Sequence, residues 1–197
     1  RPSVRCLDYV PSAAEQSWAI AERKRLVPTA EPLVGFQIAS FPTKAYRNWP
    51  GNSFAELARR LLLAHPQAQI LIFGDATDAA ASEALAATCN GRAHSLAGKL
   101  ALRQSIAMMQ QLDLYIGVDT GPTHLAGALG LPMVALYHCL HPGRYLAPLD
   151  HPNFLGVVEH PAAGGDCTPT RTMAEIGVDR VWEQVQAALQ GLPEKER

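Results

Sequence analysis

The sequence predicts an α/β domain built on a doubly wound, largely parallel sheet. Short apolar, strand-like runs alternate with amphipathic, helix-like segments along most of the chain. The strand-helix units recur every ~20–30 residues, the spacing of βαβ construction rather than of helical repeats or a coiled coil. No internal linker is long enough to divide the chain, so one domain is expected. The composition agrees. In 197 residues, 48% are apolar, and 17 Lys+Arg face 18 Asp+Glu for a formal net charge of -1. That balance excludes intrinsic disorder and argues against a nucleic-acid-binding surface. Four cysteines are too few and too scattered for a disulfide scaffold, and they favour a reducing compartment weakly. No uninterrupted run of about 18 apolar residues is present, so no transmembrane helix is expected. The opening RPSVRCLDYV lacks the pattern of a signal peptide. Because the sequence starts at Arg1 rather than Met, it reads as a piece of something longer.

Residues 11–27 predict a helix, with Pro11 near its start and the basic run Arg23–Arg25 near its end. Pro28, Thr29 and Pro32 break the chain. LVGFQIA at 33–39 is the first strand, where Gly35 allows close backbone packing or a bulge. After a loop over 40–52, Asn52 or Ser53 caps a helix in which Phe54, Leu57, Ala58, Leu61 and Leu62 repeat at the 3.6 period. His65 and Pro66 end it. QILIF at 69–73 is a strand that stops at Gly74, an Ala-rich helix runs through 77–88, and Asn90-Gly91 marks a turn. Leu96 to Gly98 reads as an edge strand and turn. The segment 100–111 is amphipathic through Leu102, Ile106 and Met109. LYIGV at 114–118 and MVALY at 133–137 are strands on either side of a helix over 122–130. The region 138–171 is irregular, with one weak strand at 154–158, and a final helix spans about 173–190.

In an open parallel sheet, ligands bind beyond the carboxyl ends of the strands, near helix N-termini. Three positions qualify. One is the loop after the first strand, with Ser40, Lys44, Tyr46, Arg47 and Trp49. The second is the Gly74-Asp75-Ala76-Thr77-Asp78 turn. The third and strongest is Val118 to His124, where Asp119, Thr120 and Gly121 join an apolar strand directly to a helix that opens with Pro122. Unsatisfied N–H groups at such a helix start make a pocket for phosphates. The competing reading is a plain cap by Asp119 or Thr120 and a turn made by Gly121; His124 is equally a buried structural histidine or a ligand contact. Arg47 can meet a pyrophosphate bidentately and Lys44 as a mobile point charge, or both belong to an exposed basic loop. Trp49 before Pro50 reads as a packing anchor. Asp75 and Asp78 either hold ribose or sugar hydroxyls or cap the following helix. Cys139, His141, His151, His160 and Cys167, with His138 adjacent, raise a metal site, but clustered ligand spacing is missing and no metal is expected. There is no dinucleotide GxGxxG, no GxSxG, and GKL at 98–100 lacks the spacing of a Walker motif.

The run VDTGPTHLAGALGLPMVALY at 118–137 closely resembles the signature of the ADP-heptose:lipopolysaccharide heptosyltransferases, glycosyltransferase family 9. RNWP at 47–50, ILIFG at 70–74 and SLAGKLALRQSIAMMQQLDLYIGVDTG at 95–121 support the likeness in the same order and separation. The resemblance implies the carboxyl-terminal, Rossmann-like half of a GT-B enzyme. It places an interdomain tail and leading helix at 1–32 and a nucleotide-sugar donor-binding domain at 33–197. Carried over by position, Asp119, Thr120 and Gly121 look like the donor phosphate turn and His124 like the histidine that shapes it. Arg47 stands where many relatives have a lysine two positions before Trp, with Lys44 as a substitute from the same loop. Asp75 and Asp78 match the acidic donor contact loosely. The implied reaction is inverting transfer of heptose from ADP-heptose to a lipid-linked saccharide, needing no cofactor or metal. Its general base lies on an absent amino-terminal domain, so this piece is expected to be inactive alone. The implied location is cytoplasmic, at the inner face of a bacterial inner membrane. HCLHPGRY at 138–145 departs from the Gly-containing turn common in relatives, which leaves another sugar or acceptor open; a non-catalytic sugar-nucleotide-binding module is a separate alternative.

Overall fold

The computed structural model describes residues 7–192; the first six residues of the expected tail and the last five of the chain lie outside the described residues. Seven helices and six strands follow one another in the described residues: α1 (Ala13–Leu26), β1 (Leu33–Gln37), α2 (Gly51–Ala64), β2 (Gln69–Phe73), α3 (Ala79–Ala87), β3 (Ala93–Ser95), α4 (Leu102–Met109), β4 (Leu114–Val118), α5 (Gly121–Ala128), β5 (Met133–Tyr137), α6 (Gly143–Leu146), β6 (Leu155–Glu159) and α7 (Val178–Gln190). The strands form one sheet in the order β3-β2-β1-β4-β5-β6, and every pairing is parallel. This is the expected α/β, Rossmann-like, doubly wound architecture.

Three of the four inner strands, β1, β4 and β5, are buried at every residue. That is why they read as continuous apolar runs rather than alternating ones. The edge strand β6 alternates between buried and half-buried positions. Helices α2, α3 and α7 cover one face, over a core that includes Phe36, Phe54, Leu61, Ile70 and Val185. Helices α1, α4 and α5 cover the other, over Leu33, Leu71, Met108, Tyr115 and Ala126. Helix α1 opens with a capping box between Ser12 and Glu15 and packs on α4, where Glu15 also pairs with Arg103.

Several boundaries move. Helix α2 starts at Gly51 behind Pro50 and has no side-chain cap, so Asn52 and Ser53 are inside it. The edge strand is 93–95, not 96–98; it pairs Ala93 with Ile70 and Ser95 with Ile72. Its sequence, Ala-His-Ser, has no strand pattern of its own, and only the register with β2 makes it a strand. The final helix begins at Val178, after a 3-10 turn over Met173–Glu175. Gly35 serves close packing rather than a bulge: it stays in register with Leu71 and Tyr115, and a Cβ there would overlap Leu112. The Asn90-Gly91 turn has both residues at positive φ, 52° and 77°. No helix among the described residues is long and apolar enough to cross a membrane.

Candidate functional site

The strand order reverses direction between β1 and β4. The loops that leave these two neighbours turn to opposite sides, which opens a crevice at their carboxyl ends. The loop after β1 and the turn after β4 therefore meet across it. Asp119 continues β4 by one residue, its N–H donating to Leu136 O at 3.0 Å, and its side chain is only 2% exposed. A carboxylate buried that far is unfavourable without a cation. Arg47 supplies one from 72 residues away, its Nη1 donating to Asp119 Oδ2 at 2.7 Å. His124 Nε2 stands 3.6 Å from the other carboxylate oxygen.

Asp119 is thus held by Arg47 and does not cap α5. Thr120 occupies the N-cap position, but its side chain makes no capping bond, and Pro122 sits in the first turn. Thr123 N and His124 N turn back to Thr120 O at 3.0 and 3.4 Å. With Pro122 lacking an N–H, Gly121 carries the first-turn N–H not taken by that carbonyl. Gly121 is not at positive φ, and a Cβ on it would meet nothing within 4 Å. The turn itself therefore does not require glycine there.

A cavity of about 280 Å³ joins all three positions singled out by sequence: Ser40 and Phe41 after β1, Gly74, Asp75 and Asp78 after β2, and Thr120 and Pro122 after β4. Its far wall is apolar, from Leu100, Leu102, Ile106 and Met109 of the α4 segment. Leu102 is exposed, so it belongs to this wall rather than to the buried stripe of the helix. Asp75 and Asp78 do form a cap, with Asp75 Oδ1 accepting from Thr77 N at 2.7 Å and Asp78 Oδ2 from Asp75 N at 3.2 Å. Their acidities diverge. The Thr77 hydroxyl holds Asp75 below the usual carboxylate range, while burial pushes Asp78 up. Lys44 is exposed within the 3-10 turn Pro42–Arg47 and does not border the cavity.

Gln37 was hidden inside an apolar strand. It is 3% exposed and borders the cavity. Its amide nitrogen donates to Ala39 O at 2.8 Å, and its amide oxygen has no partner among the described residues. A polar side chain in an otherwise apolar central strand was the signal that could have found it. His141 was grouped with possible metal ligands, but its Nε2 lies 2.8 Å from Tyr46 Oη across 95 residues. Nothing in sequence announces such a pair. Elsewhere in that Cys/His set, His151 bonds Leu131 O, while His160, its ring 5.4 Å from that of His138, bonds Thr172 O and Ala162 N. His138, Cys139 and Cys167 do converge, with the two sulfurs joined in a disulfide that closes 28 residues. The cysteine count gave no reason to expect it. Trp49 is a packing anchor as read, 2% exposed, with Nε1 donating to Ile176 O at 2.9 Å and its ring edge-on to Phe54.

The family model of glycosyltransferase family 9 (heptosyltransferase) matches residues 7–160, more than half of the chain. This chain belongs to that family. Among curated members, lipopolysaccharide heptosyltransferase 2 of Salmonella typhimurium is 33% identical over 124 residues, covering 61% of this chain and 34% of the relative. The Escherichia coli protein of the same name is 29% identical over 167 residues, covering 80% and 47%. The family 9 chain therefore spans less than half the length of these relatives. Among solved structures, E. coli ADP-heptose lipopolysaccharide heptosyltransferase II superposes with a TM-score of 0.72 at 24% identity, over 93% of this chain and 53% of that one. A family 9 glycosyltransferase from Veillonella parvula gives 0.74 at 22%, over 94% and 54%. Both likenesses concern the fold.

Proposed function

We propose that this chain is the donor-binding half of a family 9 glycosyltransferase that moves heptose from ADP-heptose to a lipopolysaccharide core acceptor, with inversion at the anomeric centre. The observation that carries this reading is the Arg47–Asp119 pair, set at the crevice beside a cavity that touches all three strand-end loops. The names of the family and its relatives supply the sugar, nucleotide and acceptor class. Arg47 is oriented by Asp119 and keeps further N–H groups to meet a diphosphate. Lys44 adds a mobile positive charge from the same loop. Gly121 leaves room for a phosphate to approach the start of α5, and Thr120 lines the adjoining wall. Asp75 and Asp78 border the cavity where ribose or sugar hydroxyls would lie. The unpaired Gln37 oxygen accepts from a ligand N–H. His124, 3.6 Å from Asp119, helps shape the same phosphate turn.

As the sugar–phosphate bond breaks, negative charge grows on the departing ADP. Fixed cationic and N–H donors stabilise it there without a covalent enzyme intermediate. The reading needs no metal or other cofactor. The base that deprotonates the acceptor, and the surface that seats the lipid-linked saccharide, belong to the amino-terminal half, reached through residues 1–32. The complete enzyme works in the cytoplasm, peripherally at the inner membrane. Titration calorimetry with ADP, UDP and GDP tests the donor assignment. ADP is expected to bind best, and Arg47→Ala to weaken it by roughly 10- to 100-fold, the worth of a charged hydrogen bond. Gly121→Ala is expected to leave the thermal midpoint alone and still lower ADP affinity. No binding, or equal affinity for the three nucleotides, would sink the assignment.

A further inference from the structure

The turn that follows β5 takes no part in the chemistry above, yet it reaches back to Arg47. Tyr46 Oη lies 2.8 Å from His141 Nε2 and 3.4 Å from Arg47 Nε. The Arg47 Nε–H can only donate, and a phenol has a single proton. With its oxygen turned to Arg47, the Tyr46 hydroxyl is placed to give that proton to His141 Nε2. The imidazole is then neutral, with its own proton on Nδ1. Its surroundings favour that form: burial, then Arg47, push its pKa down, as do Lys44 and His138, while Asp119 pulls the other way.

His141 is itself firmly placed. Its N–H donates to His138 O at 2.9 Å, closing a turn. His138 Nδ1 accepts from Leu140 N at 3.2 Å, so Nε2 donates to Arg171 O at 3.0 Å. The next residue, Cys139, is bonded to Cys167. The Tyr46 ring stands edge-on to His138, with centroids 5.2 Å apart. One end of the relay is thus tied to the sheet and the other to a guanidinium that faces a buried carboxylate.

We propose that His141, acting through the Tyr46 hydroxyl, is a positioning residue that sets the Arg47 guanidinium before the donor diphosphate arrives. The role rests on the reading of Arg47 as the diphosphate-binding group. Asp119 engages Nη1 and Tyr46 engages Nε. Two sides of the fork are held, and Nη2 has no hydrogen bond among the described residues. An arginine fixed in this way loses less freedom when an anion binds, so more of the contact appears as affinity.

The test uses the 197-residue chain and ADP calorimetry on Tyr46→Phe, His141→Phe, the double variant, and each single change in an Arg47→Ala background. Each single change is expected to weaken ADP ~3- to 10-fold, the worth of one neutral hydrogen bond. The double variant should be no weaker than the worse single, and neither change should matter once Arg47 is gone. His141→Gln, whose amide oxygen can accept from Tyr46, should restore most of the affinity. Singles within about twofold of wild type, or equal losses without Arg47, overturn the role. Imidazole ¹⁵N NMR of the unaltered protein gives a second reading that needs neither ligand nor a folded variant. The expected state is an Nδ1–H tautomer at His141, and an Nε2–H tautomer overturns the relay. If the wild type binds no ADP, the donor reading and the positioning role fall together. If it binds ADP and the variants match it, only the role falls.

Discussion

The turn from β4 to α5 and the connection from β5 to β6 arrive at the same crevice by opposite means. The first closes on itself. The Thr123 hydroxyl donates to Val118 O and accepts from the Tyr115 hydroxyl at 3.0 Å, so all the partners lie within eight residues of one another. The second is closed from outside. A disulfide spans 28 residues, His138 reaches Arg171, and Tyr46 approaches from 95 residues away. The local turn presents the groups at the start of α5; the stapled connection supports the arginine that faces them. A single motif therefore supplies half of this site, and long-range closure supplies the other half.

Removing the staple should produce the largest effect. Cys139→Ser/Cys167→Ser is expected to lose about 3.6 kcal/mol, the loop entropy of a closure this long, read as a lower urea midpoint than the oxidised wild type. Wild type in reductant should behave the same way. Unchanged midpoints would mean that the connection is held by its hydrogen bonds alone, and the contrast with the local turn would weaken.

A smaller loss is expected from the local side. Thr123→Val leaves the Tyr115 hydroxyl and the Val118 carbonyl buried without their partner, at a cost of about 1–3 kcal/mol. Burial already pushes the Tyr115 hydroxyl pKa upward, so ionisation offers no escape near neutral pH. Denaturant unfolding measures the change; a neutral result would show that neighbouring groups re-pair, and that the turn is less self-contained than its bonds imply.

The smallest effect is a pH slope. Burial lowers the pKa of His94, His141 and His151 below their ordinary value of 6.5, and the last two belong to the stapled connection. The unfolded chain takes up these protons first, so stability is full above about pH 6.5 and falls as pH drops toward the folded-state values. His151→Gln should flatten that fall between about pH 7 and pH 5, measured by urea midpoints. The carboxylates of Glu15 and Glu56, held down to about 2 by their arginine partners, titrate in a lower window and do not confuse the reading. An unaltered slope would remove His151 from the explanation.

The legibility of each element follows from the same contrast. LYIGV and MVALY were readable because strands buried on both faces must be apolar throughout. The 118–124 turn was readable because its bonds are local. The β3 strand at 93–95 was misplaced because pairing with β2, not its own composition, makes it extended. Arg47 and Asp119 could each be named as donor-site candidates from their own loops, but nothing in either loop showed that they pair. The fold pairs them by placing the carboxylate 2.7 Å from the guanidinium. The Tyr46–His141 pair and the disulfide were not legible, since each depends on what lies opposite, and Gln37 left only the signal of a polar residue in an apolar strand.

By itself the sequence determined the fold class, the family and the three strand-end loops where a ligand can bind. Those properties reside in hydrophobic period and in runs of adjacent residues. Only the tertiary structure decided that the three loops share one cavity, that Asp119 holds Arg47, and that His141 lies behind both through Tyr46. Such pairings are set by strand order: two loops 72 residues apart become neighbours only because β1 lies beside β4.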